Sequence, residues 1–245
     1  MRINFNKYFN NIIFNEELHR YTVNEENYIS VTQFISKFKP DTFGGSFTED
    51  YCFKNNLDID YIKKLWQIKS SVSCIKGTEL HFYIESFYKH KLENEYSNLI
   101  DVEVEYFKNF YNDNKNLIYV KSEYICYDTD YKIAGAIDGL FFDTITKNYV
   151  LIDWKTNKKL ELNNKYGTYL LDPLNNVHNS ELNVYSLQLS LYKRLLEKNI
   201  PDLHIDKLIV VHFNRNNDNY KKIELKFYEK EIDKILKIIT KGGVD

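Results

Sequence analysis

Two aspartates and a lysine lie in neighbouring segments of the chain, with a spacing that could bring their charges to one point. Asp138 lies in residues 135–139, and Asp153 and Lys155 lie two positions apart in residues 151–155. Successive side chains of a strand point to opposite faces, so Asp153 and Lys155 share a face, and a short hairpin would place Asp138 beside them. Carboxylate oxygens suit Mg²⁺ or Mn²⁺, and such an ion polarises a phosphoryl oxygen and generates hydroxide from water. Lys155 could orient that water and stabilise the negative charge that develops.

The aspartate–lysine pair also fits a simpler interpretation. Asp153 and Lys155 could form a salt bridge on the surface of an edge strand. The apolar residues 149–152 that precede them are more typical of a central strand, where a charged side chain is costly unless it is paired or functional. Both interpretations remain open, and the apolar run favours the functional one.

Two further pairs of polar residues have helical spacing. His81 and Glu85 are four residues apart, as are Gln188 and Tyr192, so each pair lies on one face of a helix. A neutral imidazole binds divalent metal ions, and Glu85 could be a ligand or orient the histidine. Gln188 and Tyr192 can both hydrogen-bond a phosphate, and a tyrosine ring can stack on a base. Taken alone, each pair also fits an ordinary helix surface.

Together these residues form four short motifs in order: H-x3-E, G-x2-D, D-x-K and Q-x3-Y. This ordered set resembles the PD-(D/E)XK nuclease superfamily, in its RecB-type exonuclease branch. The motifs span residues 77–192, and residues 28–36 also resemble the S-V-T segment of phage and mitochondrial genome-maintenance exonucleases. The motif positions in this chain are His81/Glu85, Gly135/Asp138, Asp153/Lys155 and Gln188/Tyr192.

The resemblance implies a metal site with Mg²⁺ or Mn²⁺ as the cofactor. Asp138 and Asp153 would be the central metal ligands, with the backbone carbonyl of Trp154 as a third. His81 would be an additional ligand, and Lys155 would be the catalytic lysine. Asp153 stands where many members of the superfamily have glutamate, a variant that the superfamily tolerates.

The resemblance also implies supporting roles for four further residues. Gln188 and Tyr192 would shape the site or contact DNA. Glu85 would ligate the metal or support the ligands. Glu123, on the strand before Asp138, matches a glutamate often found in this branch, although an exposed strand glutamate is an equal alternative.

The chain is nearly neutral overall, so positive charge that binds a DNA backbone would have to be concentrated in one part of its surface. The chain has 33 Lys+Arg and 35 Asp+Glu, so its formal net charge of −2 excludes a histone-like polycation but not a basic groove. Lysines after the catalytic strand and before His81 could line such a groove, or they could belong to solvated surface. They are Lys158, Lys159 and Lys165 in the first group and Lys63, Lys64, Lys69 and Lys76 in the second.

Several other classes of protein are disfavoured. Cys52, Cys74 and Cys126 form no C-x2-C pair, which argues against a disulfide framework, a four-cysteine zinc site and an iron–sulfur cluster. No secretory signal and no run of about 18 apolar residues is evident, so we expect no membrane association and an intracellular location in cytoplasm or nucleus, with a virus or phage as a plausible source. No G-x4-G-K-[ST] loop occurs, so no nucleotide cofactor is expected.

The order of elements predicts one α/β domain. We expect a central mixed β-sheet flanked by helices, a restriction-endonuclease-like core, with a helical N-terminal elaboration. Residues 1–245 would form a single nuclease domain, with a hairpin and helices in 1–112 and the catalytic core in 113–245. The predicted strands are two in 10–28, then 117–127, 131–142, 149–155, 208–214 and 221–227. The predicted helices are 30–38, 47–90 with breaks near 55–58 and 70–73, 98–111, 178–198 and 229–240.

The sequence therefore predicts a Mg²⁺- or Mn²⁺-dependent DNA nuclease. An exonuclease acting on single-stranded or duplex DNA ends, in replication, recombination or repair, is the first hypothesis. The alternatives are a non-catalytic nucleic-acid-binding module on the same fold and an unrelated α/β enzyme of a small molecule. The residues leave open the strand polarity, the choice between exonuclease and endonuclease, and the oligomeric state.

Overall fold

The computed structural model describes residues 3–15, 18, 20–40, 46–90, 96–164 and 167–240. After a short 3-10 helix at Phe5–Lys7, the elements up to residue 113 are β1 (Ile12–Asn15), β2 (Arg20–Val23), β3 (Glu26–Ser30), α1 (Val31–Ser36), α2 (Ser46–Asn55), α3 (Ile59–Tyr88) and α4 (Asp101–Asp113). Those that follow are β4 (Leu117–Asp128), β5 (Ile133–Asp143), β6 (Asn148–Lys155), α5 (Glu181–Asn199), β7 (Ile205–His212), β8 (Lys221–Glu224) and α6 (Glu229–Thr240).

The strands of the described residues form one mixed sheet. Its order is β1-β2-β3-β5-β6-β7-β8, with β4 paired to β5 outside that path. The pairs β3–β5 and β6–β7 are parallel, and the others are antiparallel. This architecture confirms the predicted α/β fold with a central mixed sheet flanked by helices. The N-terminal part is more than a helical addition, because it supplies three strands to the sheet.

The sheet forks at β5. β4 pairs along the whole length of one edge of β5. On the other edge, β3 pairs only at Ile133 and Ala134, and β6 pairs only from Gly139 to Asp143. Residues 135–138 therefore lie in the fork, where the strand ladder of the described residues gives this edge no partner. A main-chain gap of this kind leaves room for side chains to enter the sheet.

Two helical layers bury the faces of the sheet. Helices α1, α5 and α6 pack on one face, where Ile137, Leu151 and Leu187 belong to one fully buried cluster. Helices α3 and α4 pack on the other, where Phe107 and Trp154 belong to a largely aromatic cluster. Because β6 is covered on both faces and lies between β5 and β7, it is a central strand, as its apolar run predicted.

The helix α3 is longer than the sequence suggested. A break was expected near residues 70–73 because serines compete with the helical backbone for hydrogen bonds. In the structure, the Ser73 hydroxyl donates to the carbonyl of Lys69 one turn earlier, at 2.9 Å, so the serine is satisfied within the helix. Among the described residues, no helix has the length and apolar character needed to cross a membrane.

Two strands were predicted in residues 10–28, whereas the structure has β1, β2 and the beginning of β3 there. The turn between β2 and β3 consists of Asn24 and Glu25, with φ of 49° and 69°. Two residues with positive φ are typical of a type I′ hairpin, whose usual sequence signal is a glycine that this turn lacks. The chain then continues into β3, and Ser30 caps α1, with the reciprocal hydrogen bonds of a capping box to Gln33.

A buried carboxylate joins α3 to the rest of the fold. The Glu103 side chain on α4 is 1% exposed, and it accepts hydrogen bonds from Lys76 Nζ at 2.7 Å and from Arg215 Nε at 3.0 Å. Burial raises the pKa of Glu103, but the hydrogen bonds from Arg215 and Lys76 outweigh burial and hold the pKa below its ordinary 4.5. Lys76 is five residues before His81 on the same helix, so this cluster fixes the helix that carries the histidine.

This cluster makes stability depend on pH. A carboxyl whose pKa is lower in the folded than in the unfolded chain stabilises the fold above the unfolded pKa, and that contribution is lost as pH falls through the folded pKa. We expect Glu103→Gln to lower the free energy of unfolding near pH 7 by about 2 kcal/mol and to flatten its decline below about pH 4. Urea unfolding at both pH values measures this; an unchanged acid slope in the variant would contradict it.

Candidate active site

The fork in the sheet places Asp138 against the end of β6. Asp138 Oδ2 accepts a hydrogen bond from the backbone N–H of Trp154 at 3.0 Å. A side chain thus takes the place of the missing main-chain partner and ties the two strands together. The next residues of β6 alternate as predicted, because Trp154 packs into the aromatic cluster while Asp153 and Lys155 lie within 2.7 Å of each other.

His81 reaches this point from α3. Its Nε2 lies 3.0 Å from the carbonyl oxygen of Trp154, and its Nδ1 lies 3.6 Å from both Asp138 Oδ2 and Glu123 Oε1. Because a carbonyl only accepts, Nε2 must carry a proton, and Nδ1 is the atom that faces the carboxylates. Burial lowers the pKa of His81, but Asp138 and Glu123 outweigh it and raise the pKa to about 9.

Glu123 joins the site through an unusual backbone conformation. It lies on β4 between the registered pairs Ser122–Gly139 and Tyr124–Ile137, so it is opposite Asp138. Its φ is 44°, in the left-handed region that a non-glycine residue adopts at a cost of about 1–3 kcal/mol. Backbone strain of this kind clusters at functional sites, and here it accompanies a carboxylate aimed at His81.

These three residues form a group of potential metal ligands. One ligand atom each of His81, Glu123 and Asp138 lies within 4.8 Å of the others. Two carboxylates and an imidazole nitrogen that face one another repel unless a proton or a cation lies among them. Their chemistry suits a divalent cation, and the Nε2–H bond to a backbone carbonyl is the outer partner that metal-binding histidines commonly have. The residues present therefore fit the Mg²⁺ or Mn²⁺ that the sequence predicts.

Asp153 was predicted as a central metal ligand, and the structure places it beside this group instead of in it. Asp153 is 2% exposed, and its Oδ2 lies 2.7 Å from Lys155 Nζ. This contact joins the two charged groups as a buried ion pair. Burial raises the pKa of Asp153 to about 6, against the opposing effect of Lys155. A buried carboxylate beside three potential ligands adds negative charge that suits a cation.

Lys155 lies beside the two predicted aspartates and also beside Tyr185, which the sequence motifs did not point to. Burial lowers the pKa of Lys155, but Asp153 and Asp138 outweigh it, so the pKa is raised and the ammonium stays charged. The ammonium lies 4.9 Å from the ring centroid of Tyr185 on α5. The Tyr185 hydroxyl accepts a hydrogen bond from Asn157 Nδ2 at 2.9 Å, and the carbonyl of Asn157 accepts from His212 Nε2 at 2.6 Å.

A partial signal for Tyr185 exists in the sequence. Tyr185, Gln188 and Tyr192 follow the i, i+3, i+7 spacing of one helix face. The link from Asn157 to His212 spans 55 residues and depends on the parallel pairing of Lys155 with His212. Local sequence patterns carry no such information, so this part of the site was missed.

Two of the predicted motifs meet at Gly135. The Tyr192 side chain, which is 4% exposed, lies over this glycine, and an added Cβ would be 2.6 Å from the Tyr192 hydroxyl. Gly135 thus admits the tyrosine into the fork, three residues before Asp138. Burial raises the pKa of Tyr192, which keeps its hydroxyl neutral. Gln188 lies one turn earlier on α5 and is half-buried.

We expect Gly135→Ala to lower the free energy of unfolding by about 1–3 kcal/mol, because the new methyl group clashes with a buried ring. Adding Tyr192→Leu should remove the clash and recover part of this loss. Urea unfolding of both single variants and the double variant measures the coupling between the two positions. Purely additive effects would show that the contact is unimportant.

The remaining predicted residues lie around the site. Glu85 forms an ion pair with Lys89 and lines a cavity of about 550 Å³ together with His81 and Glu123. Lys158 and Lys159 are exposed on the loop after β6. Of the other lysines suggested for a groove, Lys76 is bound to Glu103, Lys63, Lys64 and Lys69 are exposed on α3, and Lys165 lies outside the described residues.

Comparisons with known proteins give distant structural similarity. No protein-family model matches the chain, and no curated protein matches it. The chain is similar to a solved structure from Eubacterium rectale named "Putative exonuclease", with a TM-score of 0.42 and 11% identity over 68% of this chain and 64% of that one. It is also similar to the structure of SSO0001, with a TM-score of 0.35 and 15% identity over 89% and 77% of the two chains. The chain thus spans less than two thirds of the Eubacterium rectale protein. Since both TM-scores are low, the function must be argued from the site itself.

Proposed function

We propose that this protein is a Mg²⁺- or Mn²⁺-dependent deoxyribonuclease of the PD-(D/E)XK type, acting as a RecB-like exonuclease in DNA replication, recombination or repair. The observation that carries the proposal is the convergence of His81, Glu123 and Asp138 beside the buried Asp153–Lys155 pair. These residues come from α3, β4, β5 and β6, and a merely structural ion pair would not require all four elements to meet.

The metal would be held by His81, Glu123 and Asp138, with the Asp153 carboxylate close enough to feel the charges of Asp138 and His81. A bound Mg²⁺ or Mn²⁺ supplies Lewis acidity for phosphodiester hydrolysis. The Nε2–H of His81 bonds the Trp154 carbonyl and so fixes the orientation of the ring. The backbone N–H of Trp154 fixes one oxygen of Asp138 in the same way.

Lys155 acts on the substrate as a fixed positive charge. Its raised pKa keeps the ammonium protonated, so it can donate to a phosphoryl oxygen or to the attacking water and stabilise the negative charge of the transition state. Asp153 and the Tyr185 ring hold it between them. Lys158 and Lys159 follow on the adjoining loop and supply exposed charge for the DNA backbone.

The test is cleavage of end-labelled linear and covalently closed circular DNA, single- and double-stranded, with Mg²⁺, Mn²⁺ or EDTA. Metal-dependent loss of linear DNA with intact circles supports an exonuclease. Cut circles would indicate an endonuclease with the same chemistry. DNA binding without cleavage under every condition would overturn the proposal in favour of a non-catalytic binding module.

A further inference from the structure

A cavity opens directly beside the proposed metal ligands. Its volume is about 550 Å³, within the range of pockets that hold small organic groups. His81 and Glu123 line it at the metal side. Three large apolar side chains, Phe14, Phe82 and Ile125, also line it. Apolar side chains next to the proposed metal ligands suit the part of a nucleotide that carries no charge.

Phe82 is the most exposed large apolar side chain of this cavity wall. It is 64% exposed and follows His81 directly on α3. A single exposed phenylalanine is ordinary on a protein surface. Phe82 differs because it lines the same cavity as His81 and Glu123, two of the proposed metal ligands.

Gly77 gives a second, independent indication. It lies inside α3 and also lines the cavity. Glycine inside a helix is less stable than alanine, so a structural reason is expected. A Cβ at this position would meet only Thr156 Oγ1, at 3.9 Å. The packing of the protein therefore does not require glycine here, and its effect is to widen the cavity one helical turn from His81.

Resting on the proposed function, we infer that this cavity is a subsite for an unpaired nucleobase of the DNA strand being cut, and that the base stacks on Phe82. Every base has a flat π face, so stacking on an aromatic ring tolerates any sequence. A base inside a duplex is stacked on both faces and paired along one edge, so it must leave the helix to reach such a wall. The subsite thus selects single-stranded DNA or a frayed end.

Equilibrium binding in EDTA tests this without relying on cleavage. The probe is a labelled single-stranded oligonucleotide, followed by fluorescence anisotropy, with a second version carrying one 2-aminopurine at each position in turn. We expect Phe82→Ala to weaken binding by about 5- to 100-fold and to abolish the quenching at one position. Phe82→Tyr should stay near wild type. Gly77→Leu should weaken binding by filling the cavity, whereas Gly77→Ala should have a small effect.

Phe53→Ala is the matched control, because Phe53 is 89% exposed on α2 and does not line the cavity. An equal loss of binding in this variant, or an unchanged Kd for Phe82→Ala, would overturn the subsite. Duplex DNA with blunt ends is the comparison ligand. If it binds as tightly as the single strand and loses nothing in Phe82→Ala, the base-stacking inference is wrong.

Cleavage of an abasic substrate separates the inference from the proposed function. If wild type cleaves DNA, a single abasic position should reduce its cleavage rate by the same factor as Phe82→Ala does on normal DNA. On the abasic substrate, Phe82→Ala and wild type should then cleave at equal rates. Equal losses for Phe82→Ala on normal and abasic DNA would contradict stacking. If wild type cleaves nothing, the proposed function fails, and the binding experiment alone decides the subsite.

Discussion

Lys155→Ala is expected to reduce metal-dependent DNA cleavage by about 10²- to 10³-fold while leaving Mn²⁺ binding nearly intact. The ammonium is the proposed source of positive charge for the phosphoryl group, and the proposed metal ligands His81, Glu123 and Asp138 do not include it. Single-turnover cleavage and calorimetric titration with Mn²⁺ measure the two properties on the same protein.

The controls for this result follow from the contacts of the lysine. Removing Lys155 leaves Asp153 without its partner, and the carboxyl then protonates more readily, which limits the loss of stability. Lys155→Met keeps most of the volume and should be as inactive as the alanine variant. Lys230→Ala removes an exposed lysine on α6 and should cleave like wild type. Full activity in Lys155→Ala would show that the site has been misassigned.

Asp138→Asn is expected to abolish Mn²⁺ binding without unfolding the protein. The amide oxygen of asparagine can still accept the Trp154 N–H, whereas the charge that attracts a cation is lost. In wild type, Mn²⁺ at about 100 times its Kd should raise the free energy of unfolding by about 2.7 kcal/mol, and the variant should show no such increase. Thermal unfolding with and without the ion measures it.

Asp138→Ala separates the two roles of this carboxylate. Alanine leaves the buried N–H of Trp154 without an acceptor, so the protein should lose about 1–3 kcal/mol of stability even in EDTA. Asp138→Asn should keep its free energy of unfolding in EDTA, because the amide oxygen still accepts this hydrogen bond. If Asp138→Asn binds Mn²⁺ as tightly as wild type, the cation lies elsewhere, and the three-residue group has another purpose.

The sequence predicted the parts of the site that depend on local pattern. The apolar run before Asp153 identified a central strand, and the alternation along it placed Asp153 and Lys155 together on one face. Helix α6 begins and ends where its periodicity indicated, at Glu229 and Thr240. Strict periodicity, whether of two residues or of 3.6, is a property of the chain itself and needs no knowledge of the fold.

The parts that the sequence left open or missed depend on contacts between distant segments. Glu123 had an equal alternative as an exposed strand residue; in the structure its carboxylate lies 3.6 Å from His81 and its backbone is in the left-handed region. Asp153 pairs with Lys155 and stays outside the ligand group. Neither fact follows from spacing, because each depends on which side chains compete for the same partner.

The fork in the sheet also affects how the protein opens. Among the described residues, the strands β1, β2 and β3 pair with the main sheet at two positions, Ile133 and Ala134, and they share with it a small core that contains Tyr21 and Tyr28. Such a unit opens locally at a lower free energy than the ten-position ladder between β4 and β5. Phe14 of this unit is also a wall of the cavity beside the metal ligands. We therefore expect the amide hydrogens of β1, β2 and β3, which carry one wall of this cavity, to exchange with solvent before those of the central strands.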